Sequence, residues 1–290
     1  MRSGSSGCAP VEDLVRLACR APSVANTQPW RWLLHPDRLD LFADYSRRLA
    51  RADPDGRDLL LSCGAVLQHL QVAAAGFGWS ARVQRLPDRG NPAHIATVSL
   101  APERVTAEAS ARLRALGSRQ TDRRRFTSWP VPDGRLHTLA AIGSSWGAQV
   151  LPVGAAVRGR LLELTSRADA AQRAAPGYLT RPDPVRESQA SADAMLIVCT
   201  SSNDAISQVR AGETMSAVWL QATLEQLSVV PLSQAMEVPE TRREVRTMVL
   251  GDLAFPQILL RVGWLPVARS QLPPTPRRML EDVLVRDSKS

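Results

Sequence analysis

The chain has 290 residues, of which 44% are hydrophobic and 22% charged, a composition that supports a large buried core. Its formal charge is +8, and because Lys289 is the only lysine, arginine supplies nearly all of the positive charge. The arginines are spread along the chain without a helix-turn-helix, zinc-finger or RNA-binding motif, so we expect no nucleic-acid partner. Arginine also suits small phosphate-bearing ligands, because its planar fork grips phosphate oxygens in pairs.

Membrane, secretory and metal-binding classes are also disfavoured. No apolar run approaches the roughly 20 residues of a membrane span, and residues 1–10 lack the apolar core of a signal peptide. We therefore expect a cytoplasmic protein without a membrane partner. The four cysteines form no C-x-x-C pair and the four histidines are isolated from one another, which predicts free thiols and no metal site.

The first part of the chain reads as a helix, a hairpin, a second helix and two strands. In chain order these are predicted at 11–20, 30–34 with 39–43, 57–75, 79–86 and 94–100. The helix at 57–75 is apolar on nearly every side, which is typical of a helix inside a large core. Two further helices are predicted near 104–116 and 134–142.

The second part repeats this outline. Its predicted elements are a buried strand at 194–200, a long helix from Arg210, an extended segment from Pro231, a helix at 239–248 and a strand at 257–264. The two long helices can be aligned, with Ala65-Val66 opposite Ala217-Val218. One buried helix in each half is what a duplicated, intertwined domain shows. We therefore predict two related halves, residues 1–105 and 106–290, forming one structural unit.

A polar loop lies between Pro22 and Pro29, directly before the first predicted strand. It carries Ser23, Asn26 and Gln28, whose side chains supply donors and acceptors for a polar ligand, while the prolines restrict the backbone. A rigid polar turn without a ligand explains the same residues about equally well.

Two arginine-rich segments are candidates for anion binding. Residues 119–126 carry four arginines and Thr121, with Asp122 placed to orient one guanidinium. The second segment is the proline-rich C-terminal tail, residues 273–278, which ends with Arg277 and Arg278. On their own, these segments are explained at least as well by a solvated charge run and a disordered basic tail. A G-x-G-x-x-A match at 76–81 ends a helix rather than opening one, so it predicts no dinucleotide site.

Taken together, these segments resemble the nitroreductase-like flavoproteins. The stretch A-P-S-x-x-N-x-Q-P-W from Ala21 to Trp30 is similar to a recognisable motif of that family. Arg119-x-Thr121-x-Arg123 resembles its phosphate-binding motif, and Arg277-Arg278 its late basic pair. Because the phosphate motif follows the A-P-S loop by about a hundred residues, the chain resembles the fused, two-repeat Acg-type subgroup.

The resemblance implies an α+β nitroreductase fold with three α-β-α layers, in which the fused halves form a pseudo-dimer. One FMN site would take its loop from the first half and its phosphate ligands from the second, so a monomer would suffice. The implied cofactor-binding residues are Ser23, Asn26, Gln28, Arg119, Thr121, Arg123, Arg124, Pro231, Leu232, Ser233, Gln234, Arg277 and Arg278. The segment 231–234 would lie near flavin N5, although it lacks the family's glycine. Position 120 is Gln where arginine is usual, and the region 161–193 is short for a substrate lid.

Three functions are compatible with this sequence. The first is an FMN-dependent oxidoreductase that takes hydride from NADPH or NADH and passes it to a nitroaromatic or quinone-type acceptor. Such an enzyme requires no acid–base pair, since the cofactor carries the chemistry. The second is an inactive protein that stores, sequesters or senses FMN. The third is a binder of nucleic acid or an acidic partner that uses the arginine excess without flavin.

Overall fold

The chain alternates helices and strands in a mixed α+β arrangement. The computed structural model describes residues 9–174, 193–266 and 272–287. The helices are α1 Val11–Ala18, α2 Arg57–Gly76, α3 Ala107–Ser118, α4 Asp133–Ser144, α5 Ala155–Ala174, α6 Ala205–Leu224, α7 Gln234–Glu237, α8 Pro239–Leu250 and α9 Leu280–Val283. The strands are β1 Trp30–Leu34, β2 Leu39–Ala43, β3 Trp79–Arg85, β4 His94–Pro102, β5 Gln149–Pro152, β6 Ala194–Thr200, β7 Ser228–Leu232, β8 Phe255–Gly263 and β9 Leu284–Arg286.

The first sheet has the strand order β3-β4-β2-β1-β9. Its members are antiparallel neighbours except β9, which lies parallel to β1 with Leu33 opposite Val285. The C-terminal segment of the chain therefore returns to the sheet formed by the first hundred residues. The sequence did not predict β9, because a three-residue strand gives no periodicity of its own.

The second sheet has the order β5-β6-β8-β7, with every pair antiparallel. Its central strand β6 is buried at all seven residues, as its continuous apolar sequence predicts. Read from the other edge, the order β7-β8-β6-β5 matches β3-β4-β2-β1 of the first sheet, with β5 to β8 corresponding in chain order to β1 to β4. This shared order supports the division into two halves that we propose.

The helices α2 and α6 form the centre of the molecule, and each has 20 residues. A side chain at Gly64 would collide with the carbonyl oxygen of Val209, and one at Gly212 with the carbonyl oxygen of Leu61. The two backbones therefore approach closely at a reciprocal crossing. The crossing pairs Gly64 with Gly212. The alignment of Ala65 with Ala217 would instead pair Gly64 with a residue one helical turn further along α6.

The second sheet is covered by helices on both faces. Leu196 and Val198 of β6 belong to the large core that includes α2 and α6. Met195 and Ile197 point the other way, into a smaller core with residues of α5, α7 and α8. The alternation of β6 side chains thus separates two helical layers, which gives the three-layer α-β-α arrangement around this sheet.

Among the described residues, α2 alone is long and apolar enough to cross a membrane. However, 83% of its most apolar window is buried inside the protein. That burial is the property of a core helix.

Candidate functional site

The loop between α1 and β1 has an unusual backbone. Ala25, Asn26 and Gln28 all have positive φ, with values of 48°, 55° and 49°. Non-glycine residues in this region cost about 1–3 kcal/mol each and persist where surrounding contacts hold them. One such contact is local, because the Gln28 amide donates to Ser23 Oγ at 3.0 Å. The loop is therefore held in a strained conformation, which is common at binding sites.

Contacts with the C-terminal tail hold the same loop. Asn26 Nδ2 donates to the Pro276 carbonyl at 3.0 Å, while Asn26 Oδ1 accepts from Arg277 at 3.1 Å. The Arg278 amide donates to Gln28 Oε1 at 3.0 Å. Two segments separated by some 250 residues are thus fastened together, as the resemblance implies for a site built from both halves.

Arg119 lies at the end of α3 and reaches the same place. Its side chain is 6% exposed and stacks over the Trp219 ring at 4.7 Å. Its guanidinium donates one hydrogen bond, to the Arg20 carbonyl at 3.1 Å, and Arg277 donates to that carbonyl at the same distance. Within the described residues, Nε and Nη1 of Arg119 and Nε of Arg277 are buried without a partner. Buried guanidinium donors left unpaired in this way are suited to an anion.

These arginines line a cavity of about 500 Å³. Its cationic lining residues are Arg16 of α1 and Arg20 just after it, with Arg119, Arg277 and Arg278. None of the described lining residues is a carboxylate. Burial, followed by the charges of Arg277 and Arg20, lowers the pKa of Arg119 to about 9. Burial and Arg20 lower the pKa of Arg277 as well. The cluster is therefore a positive centre in which Arg119 and Arg277 are desolvated, while Arg16 and Arg20 are exposed and Arg278 Nη1 lies 4.0 Å from Asp44 Oδ2. We call it the arginine cavity.

Three other predicted phosphate ligands, Thr121, Arg123 and Arg124, do not line the arginine cavity. Arg124 makes a forked ion pair with Asp122, with Nε–Oδ distances of 2.9 and 3.0 Å and an Nη2–Oδ2 distance of 2.5 Å. This fulfils the expectation that Asp122 orients one guanidinium, but it occupies Arg124. Thr121 and the exposed Arg123 lie outside the lining of the arginine cavity. Their role as phosphate ligands stays a prediction.

Arg278 fastens the tail rather than presenting free donors. Its guanidinium donates to the carbonyls of Gln28 and Trp30 at 3.2 Å and to that of Asp282 at 2.6 Å. These bonds connect the loop, β1 and α9. Arg278 therefore supports the arginine cavity that it lines, while Arg277 and Arg119 keep unpaired donors.

The predicted N5 segment, Pro231–Gln234, lies where β7 passes into α7. Ser233 Oγ donates to Glu237 Oε1 at 2.6 Å, and Gln234 Oε1 is buried without a partner among the described residues. The described hydrogen bonds do not join this segment to the loop or to the arginine cavity. Residues 161–174 are part of α5, and the remainder of the expected lid region, to residue 192, lies outside the described residues.

Arg16 and Arg20 are absent from the site predicted from sequence. Both arginines precede the A-P-S loop with the four-residue spacing that places them on one face of a helix. That spacing was available as a signal, but two isolated arginines on an amphipathic helix are usually solvated. No group of three or more His, Cys, Asp or Glu side chains suited to a metal ion occurs in the described ranges.

Comparison with known proteins gives the family. No family model matches the chain. The Mycobacterium tuberculosis protein Rv3131, provisionally named an NAD(P)H nitroreductase, is 37% identical, covering 94% of this chain and 90% of its own length. The chain belongs to this nitroreductase-like family. The M. tuberculosis protein acg, with the same provisional name, is 32% identical over 94% of both chains.

A solved structure confirms the fold. The crystal structure of a provisionally named nitroreductase from Anabaena variabilis superposes with a TM-score of 0.58 and 10% sequence identity. The match covers 85% of this chain and 82% of the other. The α+β nitroreductase fold expected from the A-P-S and arginine motifs is thereby confirmed.

Proposed function

We propose that this chain binds one FMN and acts as an NAD(P)H-dependent oxidoreductase on nitroaromatic or quinone-type acceptors. The observation that carries the proposal is the set of buried, unpaired guanidinium donors beside the A-P-S loop. An anion with several acceptor oxygens satisfies such donors, and the FMN phosphate has that chemistry. The family's name for its M. tuberculosis members supports the nicotinamide reductant.

In this proposal Arg119 and Arg277 are the principal phosphate ligands. Both reach the Arg20 carbonyl, so their guanidinium groups converge on one point. Arg16 of α1 and Arg20 just after it add positive charge to the lining of the arginine cavity. This assignment keeps two of the ligands implied by the resemblance and adds two arginines of the first half to the lining.

The loop residues are suited to contact the ribityl chain or the flavin ring. A side-chain amide offers two donors and two acceptor lone pairs, and the tail uses one of each on Asn26. Asn26 therefore keeps one donor and one acceptor for a ligand. Ser23 and Gln28 fix the loop conformation through the hydrogen bond that the Gln28 backbone N–H donates to Ser23 Oγ.

When bound, FMN supplies hydride transfer at its N5 atom, with NADPH or NADH as the source. The chain's own residues then bind and orient the reactants. No general acid or base is required of them. Reacting atoms have to approach to about 3–3.5 Å, so one face of the ring must stay open.

A second candidate function, FMN storage or sensing without turnover, is favoured by the segment 231–234. It contains Pro231, which has no amide hydrogen, and no glycine that would allow the backbone to approach N5 closely. Ser233 Oγ is moreover committed to Glu237. Both candidates share the same binding site and differ only in access for the nicotinamide.

Binding is tested with the double variant Arg119→Met/Arg277→Met, with Arg31→Met as a control at an exposed position of β1. FMN and riboflavin affinities are measured by quenching of flavin fluorescence. Losing a charge-assisted hydrogen bond costs about 1.5–3 kcal/mol, so the double variant should lose well over tenfold in FMN affinity and little in riboflavin affinity. Unchanged FMN affinity, or a colourless protein that binds DNA with a steep salt dependence, would contradict the proposal.

Turnover is tested by anaerobic titration of the FMN-loaded protein with NADPH, and then NADH, while the visible flavin absorbance is followed. Rapid bleaching is the result expected of an oxidoreductase. A spectrum unchanged by either nucleotide would assign the protein to storage or sensing.

A further inference from the structure

His69 is a buried histidine beside the arginine cavity that the proposed function does not use. It lies on α2 and is fully buried. Neither ring nitrogen has a hydrogen-bond partner among the described residues. An imidazole with both nitrogens unsatisfied in a core is costly, and such a group calls for a specific explanation.

The charges that act most strongly on His69 come from three other segments, and these three are cations. The turn after α1 contributes Arg20, the segment after α3 contributes Arg119, and the tail contributes Arg277. Burial, and then these charges with Arg119 first, lowers the pKa of His69 well below 6.5. The ring is therefore neutral at physiological pH. A neutral imidazole has one donor nitrogen and one acceptor nitrogen.

Two groups that act on the ring have complementary hydrogen-bonding needs. The Leu17 carbonyl of α1 is close enough to influence the ring, but the contact lacks the geometry of a hydrogen bond. Arg119 has two buried donors, Nε and Nη1, without partners. A ring that donates to the Leu17 carbonyl and accepts from Arg119 would satisfy both of its nitrogens and one of these two donors.

We propose that His69 is a positioning residue for the anion subsite: one ring nitrogen accepts a hydrogen bond from Arg119, and the opposite N–H donates to the Leu17 carbonyl. This inference rests on the proposed function, in which Arg119 binds the FMN phosphate. The bridge would fix one edge of the guanidinium and direct its remaining donors at the phosphate. A protonated His69 has no acceptor and would add a further cation, so the role requires the neutral ring.

The test compares His69→Leu with His69→Gln and His69→Asn, using FMN and riboflavin affinities as readouts. Leucine removes both functions of the ring. Glutamine and asparagine restore a donor and an acceptor at the two alternative ring positions. The matched control is His137→Leu, at an exposed histidine of α4.

We expect His69→Leu to lose about tenfold in FMN affinity and to leave riboflavin affinity unchanged. One of the two amide variants should recover most of the loss. Acidification to well below pH 6.5 should reduce the preference for FMN over riboflavin more in the wild type than in the rescuing amide variant. Protonation of the phosphate itself occurs in both proteins and cancels in the comparison.

Two results would overturn the inference, and they are distinguishable. If wild type prefers FMN and His69→Leu keeps that preference, the role of His69 is refuted while the proposed function stands. If wild type binds riboflavin as tightly as FMN, the phosphate subsite is refuted, and His69 with it. If His69→Leu does not fold, the two amide variants provide the test. Loss of the preference for FMN in both of them would contradict the proposed hydrogen bonds of His69 with Arg119 and Leu17.

Discussion

The crossing of α2 and α6 allows a prediction whose magnitude follows from the structure. In Gly212→Ala the new methyl group meets the carbonyl oxygen of Leu61, a backbone atom that cannot rotate away. In the absence of a clash, alanine in a helix interior is favoured over glycine by about 1 kcal/mol. Overpacking a well-packed core costs about 1–3 kcal/mol, and a collision with backbone lies at the upper end of that range or beyond. We therefore expect a net loss of about 2 kcal/mol.

The assay is thermal and urea unfolding followed by circular dichroism. A loss of about 2 kcal/mol corresponds to a decrease in Tm of roughly 4–8 °C for a protein of this size class. The matched control is Gly159→Ala in α5, where a methyl group enters open space and should be neutral or stabilising by up to about 1 kcal/mol.

The double variant Gly64→Ala/Gly212→Ala adds a test of the reciprocal geometry. Both methyl groups act at one crossing, so separating the helices relieves both clashes together. The combined loss should therefore be smaller than the sum of the two single losses. If Gly212→Ala were as stable as Gly159→Ala, the close approach of the two helices would be refuted.

Three further predictions concern the arginine cavity and the core. Arg20→Met should lower FMN affinity about tenfold without changing riboflavin affinity, while Arg31→Met changes neither, as fluorescence titration would show. Arg85→Met leaves the fully buried Glu213 without its ion-pair partner at 2.7 Å and should destabilise the fold by about 3–5 kcal/mol in urea unfolding; unaltered stability would contradict the burial of Glu213. The pKa of His69 is lowered in the folded state, so below pH 6.5 the unfolded chain binds a proton at this histidine and the native protein does not. The free energy of unfolding should therefore decrease as the pH falls below 6.5. Urea unfolding at pH 7.5 and 5.5 should show a smaller decrease in His69→Gln.

Much of the fold was predictable because local signals mark its elements. The strands β1, β2 and β6 have the predicted bounds, since turns delimit the hairpin and a continuous apolar run delimits β6. Helix α6 begins at Ala205 rather than Arg210, because Asp204 caps it by accepting from the Ser207 amide at 2.9 Å. That capping signal was visible in the sequence.

The elements that escaped prediction depend on tertiary contacts. Strand β9 exists because the edge of β1 offers it a partner, and three residues carry no period that would reveal it. Helix α5 also escaped prediction, because contacts with α8 stabilise it. One of these contacts is the ion pair between Arg167 and Glu244. Such long-range contacts cannot be inferred from neighbouring residues alone.

The candidate site was predictable in part. The family resemblance, rather than any local pattern, placed the A-P-S loop and the tail arginines in one site, and the bond between Arg277 and Asn26 agrees with it. The sequence could not say which arginines remain unpaired. Arg124 is bound by Asp122, whereas Arg119 is buried with free donors, and only the folded environment separates the two.

The two halves differ where the first has the A-P-S loop between α1 and β1 and the second has a short turn between α4 and β5. By the crossing that relates Gly64 to Gly212, the counterpart of Ser62 on α2 is Arg210 on α6. Ser62 is small, and its hydroxyl lies 3.5 Å from the Val24 amide, so the loop can settle against α2. Arg210 instead packs its guanidinium directly on Gly147, whose φ of 99° and lack of a side chain make that approach feasible. Because Arg210 occupies this position, we expect the second half not to assemble a reciprocal site of the A-P-S type. We therefore expect one flavin per chain, and a ratio of two in the loaded protein would contradict this expectation.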